Sequence, residues 1–308
     1  MSFAGKVKEE LLEQMGKARH CQLAELSAFF AYCGQVIMDE EGTYCVKFAT
    51  ENLTVAKKCY MLIRRVFHTL PDIEVSGHHS YAVYLLDEVV VENFMKAIRV
   101  MDGALLVADS LIQRQCCKRA FLRGVFLITG SVTDPNSGYH LELVAGSFAR
   151  AARIQEIMGV FGLEAKTIER KKNYIVYIKE GALIVDFLNV TGAHVALMEF
   201  ENIRILKEMR NSINRQVNCE TANIKKTVSA ASRQTVDIRY IHDTIGFGNL
   251  SDNLAQIARL RLENPEMALK ELGEMLNPPI GKSGVNHRLR KLSELANDLR
   301  RQDGGKND

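Results

Sequence analysis

The spacing of apolar positions divides the chain into two parts. Up to about residue 192, short alternating segments that predict β-strands are interspersed with segments of three- and four-residue spacing that predict amphipathic helices. After residue 192 the strand patterns end, and long helical segments follow with a predicted break near residues 218–221. The pattern therefore predicts an α+β domain followed by an all-α domain.

The first part is built twice. A helical segment that ends in glycine, LSAFFAYCG at 26–34, is matched by LRGVFLITG at 122–130, an offset of 96 residues. Each segment is followed by a strand pattern, an amphipathic helix and two strands, and the last strand carries YxVY, beginning at Tyr81 or Tyr174. Markers that recur in one order at nearly one offset indicate an internal duplication.

Each half is predicted to run helix, strand, helix, strand, strand, helix, with room for one more short strand. This order predicts a small antiparallel sheet with helices on one face. Small residues in the two glycine-ended helices should let these helices pack closely about a pseudo-twofold axis, namely Ser27, Ala28, Ala31 and Gly124. The result would be a saddle of two sheets whose concave surface matches a DNA duplex in scale.

Residues 269–292 predict a helix, a tight turn and a second helix. The apolar stripe of the first helix contains Leu269, Leu272 and Leu276 and is continued by Ile280, while Asn277, Pro278 and Pro279 end that helix. Ser283 is the predicted N-cap of the second helix, in which Val285, Leu289 and Leu292 form the apolar face. This arrangement is typical of the helix-turn-helix that enters the DNA major groove.

The second of these helices carries the candidate DNA contacts. For base edges we expect Ser283, Asn286, His287 and Arg290, and for phosphates Lys282, Arg288 and Lys291. A second basic cluster without acids supplies candidates for additional DNA contacts, Arg114, Lys118, Arg119 and Arg123. The alternative is an ordinary helical hairpin whose basic face is merely solvated.

The composition excludes some classes of protein but does not indicate a function. The chain has 308 residues and a net charge of +3, which is too small by itself to indicate nucleic-acid binding. It contains no run of about 18 uncharged apolar residues and no signal-peptide core, so we expect a cytoplasmic protein with no membrane partner. Seven cysteines without a CxxC motif predict reduced, buried thiols, with no disulfide, structural zinc or other cofactor.

These patterns predict the following organisation of the chain. An N-terminal helix covers 1–20, and the duplicated domain covers 21–192, with halves at about 21–100 and 116–192. A connecting helix at 193–213 leads to a helical DNA-binding domain at 214–300, with its helix-turn-helix at about 268–295. Residues 301–308 lack apolar periodicity and predict a disordered tail.

The residues carry a resemblance to a known family. The duplicated half resembles LAGLIDADG homing endonucleases, with the segments at 26–34 and 122–130 in the places of the two name-giving helices. The full order, together with FLRGVFLITGSVTDP at 121–135 and NPPIGKSGVNHRLRKL near the end, resembles the WhiA family of bacterial regulators. The resemblance implies a LAGLIDADG-like domain, a C-terminal helix-turn-helix, and a role in sporulation or in cell division and chromosome segregation.

The resemblance also identifies where nuclease chemistry would reside. In LAGLIDADG endonucleases the next-to-last residue of each motif helix is an acid that holds the divalent metal, and those positions here are Cys33 and Thr129. A neutral thiol or hydroxyl does not replace a carboxylate as a magnesium ligand, so we predict no catalytic residues and no enzyme activity. A relocated acid pair drawn from residues 39–41 and Asp134 is the remaining alternative.

Other candidate chemistry is weak. We expect the adjacent His78 and His79, at a turn between two strands, to be an ordinary surface pair rather than a metal site, because neighbouring side chains in a strand face opposite ways. The segments at 246–248 and 281–284 lack the full phosphate-loop motif.

The function predicted from the sequence is sequence-specific binding of double-stranded DNA by a transcription regulator associated with the nucleoid. Another transcription factor or RNA polymerase is a candidate partner. The alternatives are an active metal-dependent homing-type endonuclease and a non-specific nucleoid-structuring protein.

Overall fold

The computed structural model describes residues 1–38, 42–77, 80–99 and 107–304. The chain forms two compact units, Met1–Glu208 and Met209–Asp308. The boundary between them lies within the helix that the sequence predicted as a connector.

Unit 1 begins with α1 (Phe3–Glu13) and then repeats one order of elements. The first half contains α2 (Arg19–Cys33), β1 (Gly34–Met38), β2 (Tyr44–Thr50), α3 (Leu53–Phe67), β3 (Asp72–Ser76), β4 (Ser80–Leu85) and α4 (Glu88–Ile98). The second half contains α5 (Gln115–Thr129), β5 (Gly130–Val132), β6 (Leu141–Ala145), α6 (Phe148–Gly159), β7 (Lys166–Arg170), β8 (Asn173–Ile178) and α7 (Gly181–Thr191).

The described residues of the two halves form two four-stranded antiparallel sheets with equivalent orders, β1-β2-β4-β3 and β5-β6-β8-β7. The α+β class and the internal duplication are confirmed. The further short strand follows each motif helix without a loop. A glycine stands at each junction because a Cβ at Gly34 would lie 2.6 Å from the Phe30 ring, and one at Gly130 would lie 2.3 Å from the Phe126 ring.

The helices α2 and α5 pack against each other at close range. A Cβ at Gly124 would lie 2.8 Å from the carbonyl oxygen of Glu25 and 2.9 Å from the Cβ of Ala28. The predicted close approach of the two motif helices through small residues is therefore confirmed at these positions. It joins both halves in one hydrophobic core.

The two YxVY segments occupy equivalent places in the sheets. In β4 the tyrosines Tyr81 and Tyr84 are half-buried around two buried residues, and β8 repeats this burial at Tyr174 and Tyr177. In register, Val83 pairs with Phe48 as Val176 pairs with Leu143. Because side chains alternate between the faces of a sheet, equivalent register gives the residues of both YxVY segments the same environments.

The helix α8 (His194–Ile245) contains the boundary between the units and runs without the break predicted near 218–221. No glycine or proline occurs within its range, so nothing in the backbone chemistry interrupts it. At its start, the carboxylate of Glu10 accepts hydrogen bonds from the amides of Val195 and Ala196, at 2.7 and 2.9 Å. This side chain from α1 satisfies two of the free N–H groups at the helix start.

Unit 2 contains the larger part of α8, followed by α9 (Asp252–Glu263), α10 (Leu269–Glu274) and α11 (Lys282–Gly304). Residues 301–304 belong to α11, which corrects the predicted disordered tail there, while residues 305–308 lie outside the described residues. Leu299 packs on the core of unit 2, and Arg300 makes a 2.8 Å ion pair with Asp237 of α8. These contacts hold α11 in place just before residues 301–304, which themselves lack apolar periodicity.

Among the described residues, no helix combines the length and the apolar character needed to cross a membrane.

Candidate nucleic-acid interface

The helix pair α10 and α11 forms around a small apolar core in unit 2. Leu272 and Leu276 face Val285, Leu289 and Leu292, and all five side chains are buried. The three- and four-residue spacing that predicted this pair therefore corresponds to real burial. Ile280, between the helices, is partly buried against the same core.

The turn between these helices depends on Gly273. The amide of Ile280 donates to the carbonyl oxygen of Gly273 at 3.0 Å, and a Cβ at Gly273 would lie 2.2 Å from the carbonyl oxygen of Ile280. Any larger residue at position 273 would push the end of α10 away from the backbone at Ile280. Sequence reasoning assigned the turn to the prolines and missed the glycine.

The structure corrects the predicted cap of the second helix. The helix α11 begins at Lys282, and the amide of Val285 donates to the carbonyl oxygen of Gly281 at 3.2 Å. Ser283 thus lies in the first turn rather than before it, and it is exposed. Its place in the first turn keeps it among the candidates for contact with bases.

The predicted DNA contacts lie on the exposed side of α11. Lys282, Ser283, Asn286, His287, Arg290 and Lys291 are exposed, and Arg288 is half-buried at one flank. The buried Val285 and Leu289 anchor the opposite side of the helix. One helix surface therefore offers amide, imidazole, hydroxyl and guanidinium groups together, which is the chemistry of base and phosphate contacts.

Arg290 has one competing partner. Its Nε lies 3.1 Å from a carboxylate oxygen of Glu294, four residues along the same helix, and both side chains are largely exposed. Exposed pairs of this kind contribute at most about 1 kcal/mol. The pair orients Arg290 but does not prevent it from meeting another acceptor.

Tertiary structure gathers further basic residues near the start of α11. A cavity of about 360 Å³ is lined by Lys282 and Asn286 of α11, by Lys226 of α8 and by Lys270 of α10. A second groove of about 710 Å³, between α8 and α11, is lined by Asn286, Arg290 and Arg233. Sequence reasoning did not assign Lys226, Lys270 or Arg233 to this site, because their proximity depends on how three helices pack.

The two positions that the resemblance assigns to nuclease acids, Cys33 and Thr129, lie at the C-terminal ends of α2 and α5. The thiol of Cys33 donates to the carbonyl oxygen of Phe29 at 3.2 Å, and the hydroxyl of Thr129 donates to that of Val125 at 3.0 Å. Burial raises the pKa of the Cys33 thiol to about 12, so this side chain is neutral at physiological pH. Both groups are bonded to their own helix and supply no charged ligand.

Of the alternative acid pair, the structure describes only Asp134. Asp134 accepts hydrogen bonds from the backbone and side-chain amides of Asn136 at 2.8 and 3.0 Å, which lower its pKa and use it within a turn. Residues 39–41 lie outside the described residues. Among the described residues, no group of three or more carboxylates lies close enough together to hold a metal ion.

The residues of the second basic cluster, 114–123, differ in their exposure to solvent. Arg123 is the exception to the prediction, because it is mostly buried and its guanidinium binds the Glu25 carboxylate and the carbonyl oxygen of Thr191. Arg114 and Arg119 are exposed, and Lys118 is half-buried. Arg123 is therefore corrected from a candidate DNA contact to an internal ion pair, since acid and base from different helices meet in the core.

The segment at 246–248 takes part in the packing of unit 2. Phe247 lies between the two glycines of the 246–248 segment and packs on His242, with ring centroids 4.8 Å apart. Its role is packing against the core of unit 2. The pair His78 and His79 lies outside the described residues.

The cysteines depart from the expectation of buried thiols. Cys116 and Cys219 are exposed, whereas Cys21, Cys45, Cys59 and Cys117 are buried. The structure also brings His20, Cys21, Cys116 and Cys117 together, a cluster that no local motif announces because its two halves are separated by about a hundred residues in sequence.

Comparison with known proteins agrees with this architecture. Residues 19–86 match the WhiA N-terminal LAGLIDADG-like domain, residues 118–210 match the WhiA LAGLIDADG-like domain, and residues 213–296 match the WhiA C-terminal HTH domain. The chain is 50% identical to "Probable cell division protein WhiA" of Lachnoclostridium phytofermentans, over 97% of this chain and 100% of the relative. It is 44% identical to the protein of the same name from Heliobacterium modesticaldum, over 99% of this chain and 98% of the relative.

A solved structure shows the same fold. The crystal structure of full-length WhiA from Thermatoga maritima is matched with a TM-score of 0.59 at 25% identity, over 97% of this chain and 99% of that one. The family resemblance drawn from the sequence is thereby confirmed.

Proposed function

Because this chain belongs to the WhiA family, we propose that it is a sequence-specific DNA-binding protein that regulates transcription. The observation that carries this proposal is the exposed side of α11. There Asn286, His287 and Arg290 project outward from a helix whose opposite side is anchored by buried leucines. Side chains near the start of the second helix are the ones that reach base edges in helix-turn-helix proteins.

The surroundings of α11 supply the electrostatic part of binding. Lys226 and Lys270 line the same cavity as Lys282, so three elements present positive charge at the start of the recognition helix. Such charges displace counterions from the phosphate backbone, which gives affinity without sequence information. We assign Lys226, Lys270 and Lys282 to phosphates, together with Arg288 and Lys291, and assign Ser283, Asn286, His287 and Arg290 to bases.

Unit 1 serves, in this proposal, as a binding surface without nuclease activity. On the face of its first sheet opposite the core, Lys47 lies over the Tyr84 ring and the Tyr84 hydroxyl donates to Glu74 at 2.6 Å. On the second sheet, Glu142 lies 3.2 Å from His140. The carboxylates on these two faces repel a phosphate backbone, so we assign the faces to a protein partner, such as another transcription factor or RNA polymerase.

The biological role proposed is control of genes for cell division and chromosome segregation, or for sporulation, in the cytoplasm at the nucleoid. The name of the relatives, "Probable cell division protein WhiA", supports the part of this proposal that concerns cell division.

Genome-wide footprinting of the chain in living cells tests the function, with a triple variant Asn286→Ala, His287→Ala, Arg290→Ala as comparison. A regulator protects discrete sites that the triple variant loses. Even coverage of the chromosome would instead indicate a nucleoid-structuring protein, and strand breaks at the sites an endonuclease.

A further inference from the structure

The cluster of His20, Cys21, Cys116 and Cys117 follows the internal duplication. The offset of 96 residues that relates the two motif segments also relates His20 to Cys116 and Cys21 to Cys117. Each pair occupies the second and third positions of its helix, α2 beginning at Arg19 and α5 at Gln115. Equivalent positions of the two halves therefore meet at the N-terminal ends of the packed motif helices.

The donor atoms converge on one point. The Nδ1 atom of His20 lies 3.2 Å from Cys117 Sγ and 3.3 Å from Cys21 Sγ, and all four donor atoms lie within 4.8 Å of one another. With Zn–S about 2.3 Å and Zn–N about 2.0 Å, a tetrahedral zinc ion separates its ligand atoms by roughly 3.5–3.8 Å. The cluster thus needs only small side-chain movements to match that geometry.

We propose that His20, Cys21, Cys116 and Cys117 bind one Zn²⁺ ion, which joins the two halves of unit 1. Three thiolates and one imidazole form a donor set of the kind found in structural zinc sites. These soft ligands select against magnesium and calcium, which need oxygen donors. Because the protein fills all four positions, the ion has no open site for substrate, and its role is structural.

The surroundings fit a bound ion. Cys21 and Cys117 are buried, while Cys116 is exposed and leaves a path for entry. Ligation through Nδ1 leaves the remaining imidazole hydrogen on Nε2 of His20, so the Arg114 guanidinium, now 3.3 Å from Nε2, must turn aside. Arg114 is exposed and free to do so, and its positive charge then offsets the net charge of −1 on three thiolates, one neutral imidazole and Zn²⁺.

The position of the cluster separates it from the lost nuclease site. Cys33 and Thr129 end the helices that the cluster begins, and fifteen residues at 1.5 Å each place the two ends about 20 Å apart. An ion at the cluster therefore cross-links the starts of α2 and α5 and does not replace the missing carboxylates. The proposal departs from the expectation, drawn from the absence of CxxC, that the chain has no structural zinc.

A disulfide is the competing explanation for the thiols. It would account for two of three sulfur atoms and leave unexplained why His20 points its Nδ1 at two of them. Zinc uses all four groups, and its binding releases three protons as the thiols become thiolates.

The test uses the full chain, produced with added Zn²⁺ and purified without oxygen. Elemental analysis should find one zinc ion per chain in the parent protein. A double variant, Cys116→Ser with Cys117→Ser, should contain almost none, whereas Cys219→Ser, which removes another exposed cysteine, should keep the full amount. Cobalt exchanged into the parent should give the intense visible bands of a tetrahedral ion and a thiolate-to-cobalt band, both absent from the double variant.

A stability measurement guards against a variant that loses metal because it fails to fold. A strong chelator should lower the melting temperature of the parent and of Cys219→Ser to that of the double variant, and should not change the double variant itself. A folded parent that holds no zinc, gives no tetrahedral cobalt spectrum and melts unchanged with chelator would overturn the proposal. A disulfide among Cys21, Cys116 and Cys117 in the anaerobically purified chain would do the same.

Discussion

The carboxylate of Glu25 on α2 accepts two hydrogen bonds from the guanidinium of Arg123 on α5, at 3.1 and 3.0 Å. Glu25 is fully buried, and on its other side the ammonium group of Lys58 lies 3.4 Å away. Lys58 also donates to the carbonyl oxygens of Leu11 and Gln14 at 3.0 and 2.7 Å, near the end of α1. One buried carboxylate thus connects both motif helices, α3 and the N-terminal helix.

Replacing Arg123 by methionine should lower the free energy of unfolding by about 1–3 kcal/mol, because it removes two hydrogen bonds from a buried carboxylate that keeps Lys58 as its ion-pair partner. Urea denaturation of the full chain measures this loss. Arg119→Met, on the exposed side of the same helix, should cost no more than about 1 kcal/mol, because it loses an exposed cation–π contact with the Phe161 ring. A stable Arg123→Met protein with weakened DNA binding would instead return Arg123 to the DNA contacts.

The buried Lys58 should make stability depend on pH in the alkaline range. Burial lowers the pKa of its ammonium group from the ordinary 10.5 to about 8, although the nearby Glu25 carboxylate opposes this shift. Between those two values the unfolded chain binds the proton that the folded chain has released, so the stability contributed by this group rises as pH increases from about 8 to about 10.5. Below about pH 8 the group is charged in both states and its contribution stays constant.

Unfolding free energies of the parent and of Lys58→Met, compared at several pH values, isolate this group. The difference should move in favour of the parent by at most about 1.4 kcal/mol for each pH unit in that window. A difference that stays flat would show that Lys58 keeps its ordinary pKa.

Gly273→Ala should destabilise unit 2, because the new methyl group would lie 2.2 Å from the carbonyl oxygen of Ile280. Overpacking of this kind costs about 1–3 kcal/mol. Gly281→Ala is the matched control in the same turn, since its Cβ would meet nothing within 4 Å. Thermal unfolding of both variants, followed by circular dichroism, should separate them, and equal melting temperatures would contradict the assignment of the turn to Gly273.

Two residues of α11 should differ in how they affect DNA binding. Arg290→Ala should weaken binding to the preferred site by about 1–3 kcal/mol and relax its specificity, because a base contact is lost. Lys282→Ala should weaken binding to all sequences similarly and reduce the salt slope by about one, because it removes a phosphate contact.

Titrations of specific and random duplexes at several salt concentrations make this comparison. Arg301→Ala, at the far end of α11, is the control and should bind like the parent on both duplexes. If Arg290→Ala and Lys282→Ala also bind both duplexes like the parent, α11 is not the recognition helix.

The purified chain should leave supercoiled plasmid intact with either Mg²⁺ or Mn²⁺, because Cys33 and Thr129 offer no carboxylate. The double variant Cys33→Asp, Thr129→Asp should remain inactive as well, since two acids alone do not rebuild the positions of water and metal. Metal-dependent nicking by the parent would refute this expectation. Loss of that nicking in a chain with Asp39→Asn, Glu40→Gln and Glu41→Gln would then locate the acids.

The sequence by itself determined the class of fold, the duplication and the helix-turn-helix. These features depend on the local spacing of apolar residues, which predicts helices and strands directly. Leu272, Leu276 and Leu289, for example, follow helical spacing and are buried. That neither Cys33 nor Thr129 is an acid was equally visible, because it concerns only which residue stands at each position.

Tertiary structure alone decided which side chains meet. Arg123 belonged to a basic run in the sequence, and only the packing of α5 on α2 turned it inward to Glu25. His20 and Cys117 lie 97 residues apart along the chain and 3.2 Å apart in space. The requirement for Gly273 arises from a carbonyl oxygen seven residues later. Distances of this kind depend on how whole helices pack, and no local pattern of apolar and polar residues encodes them.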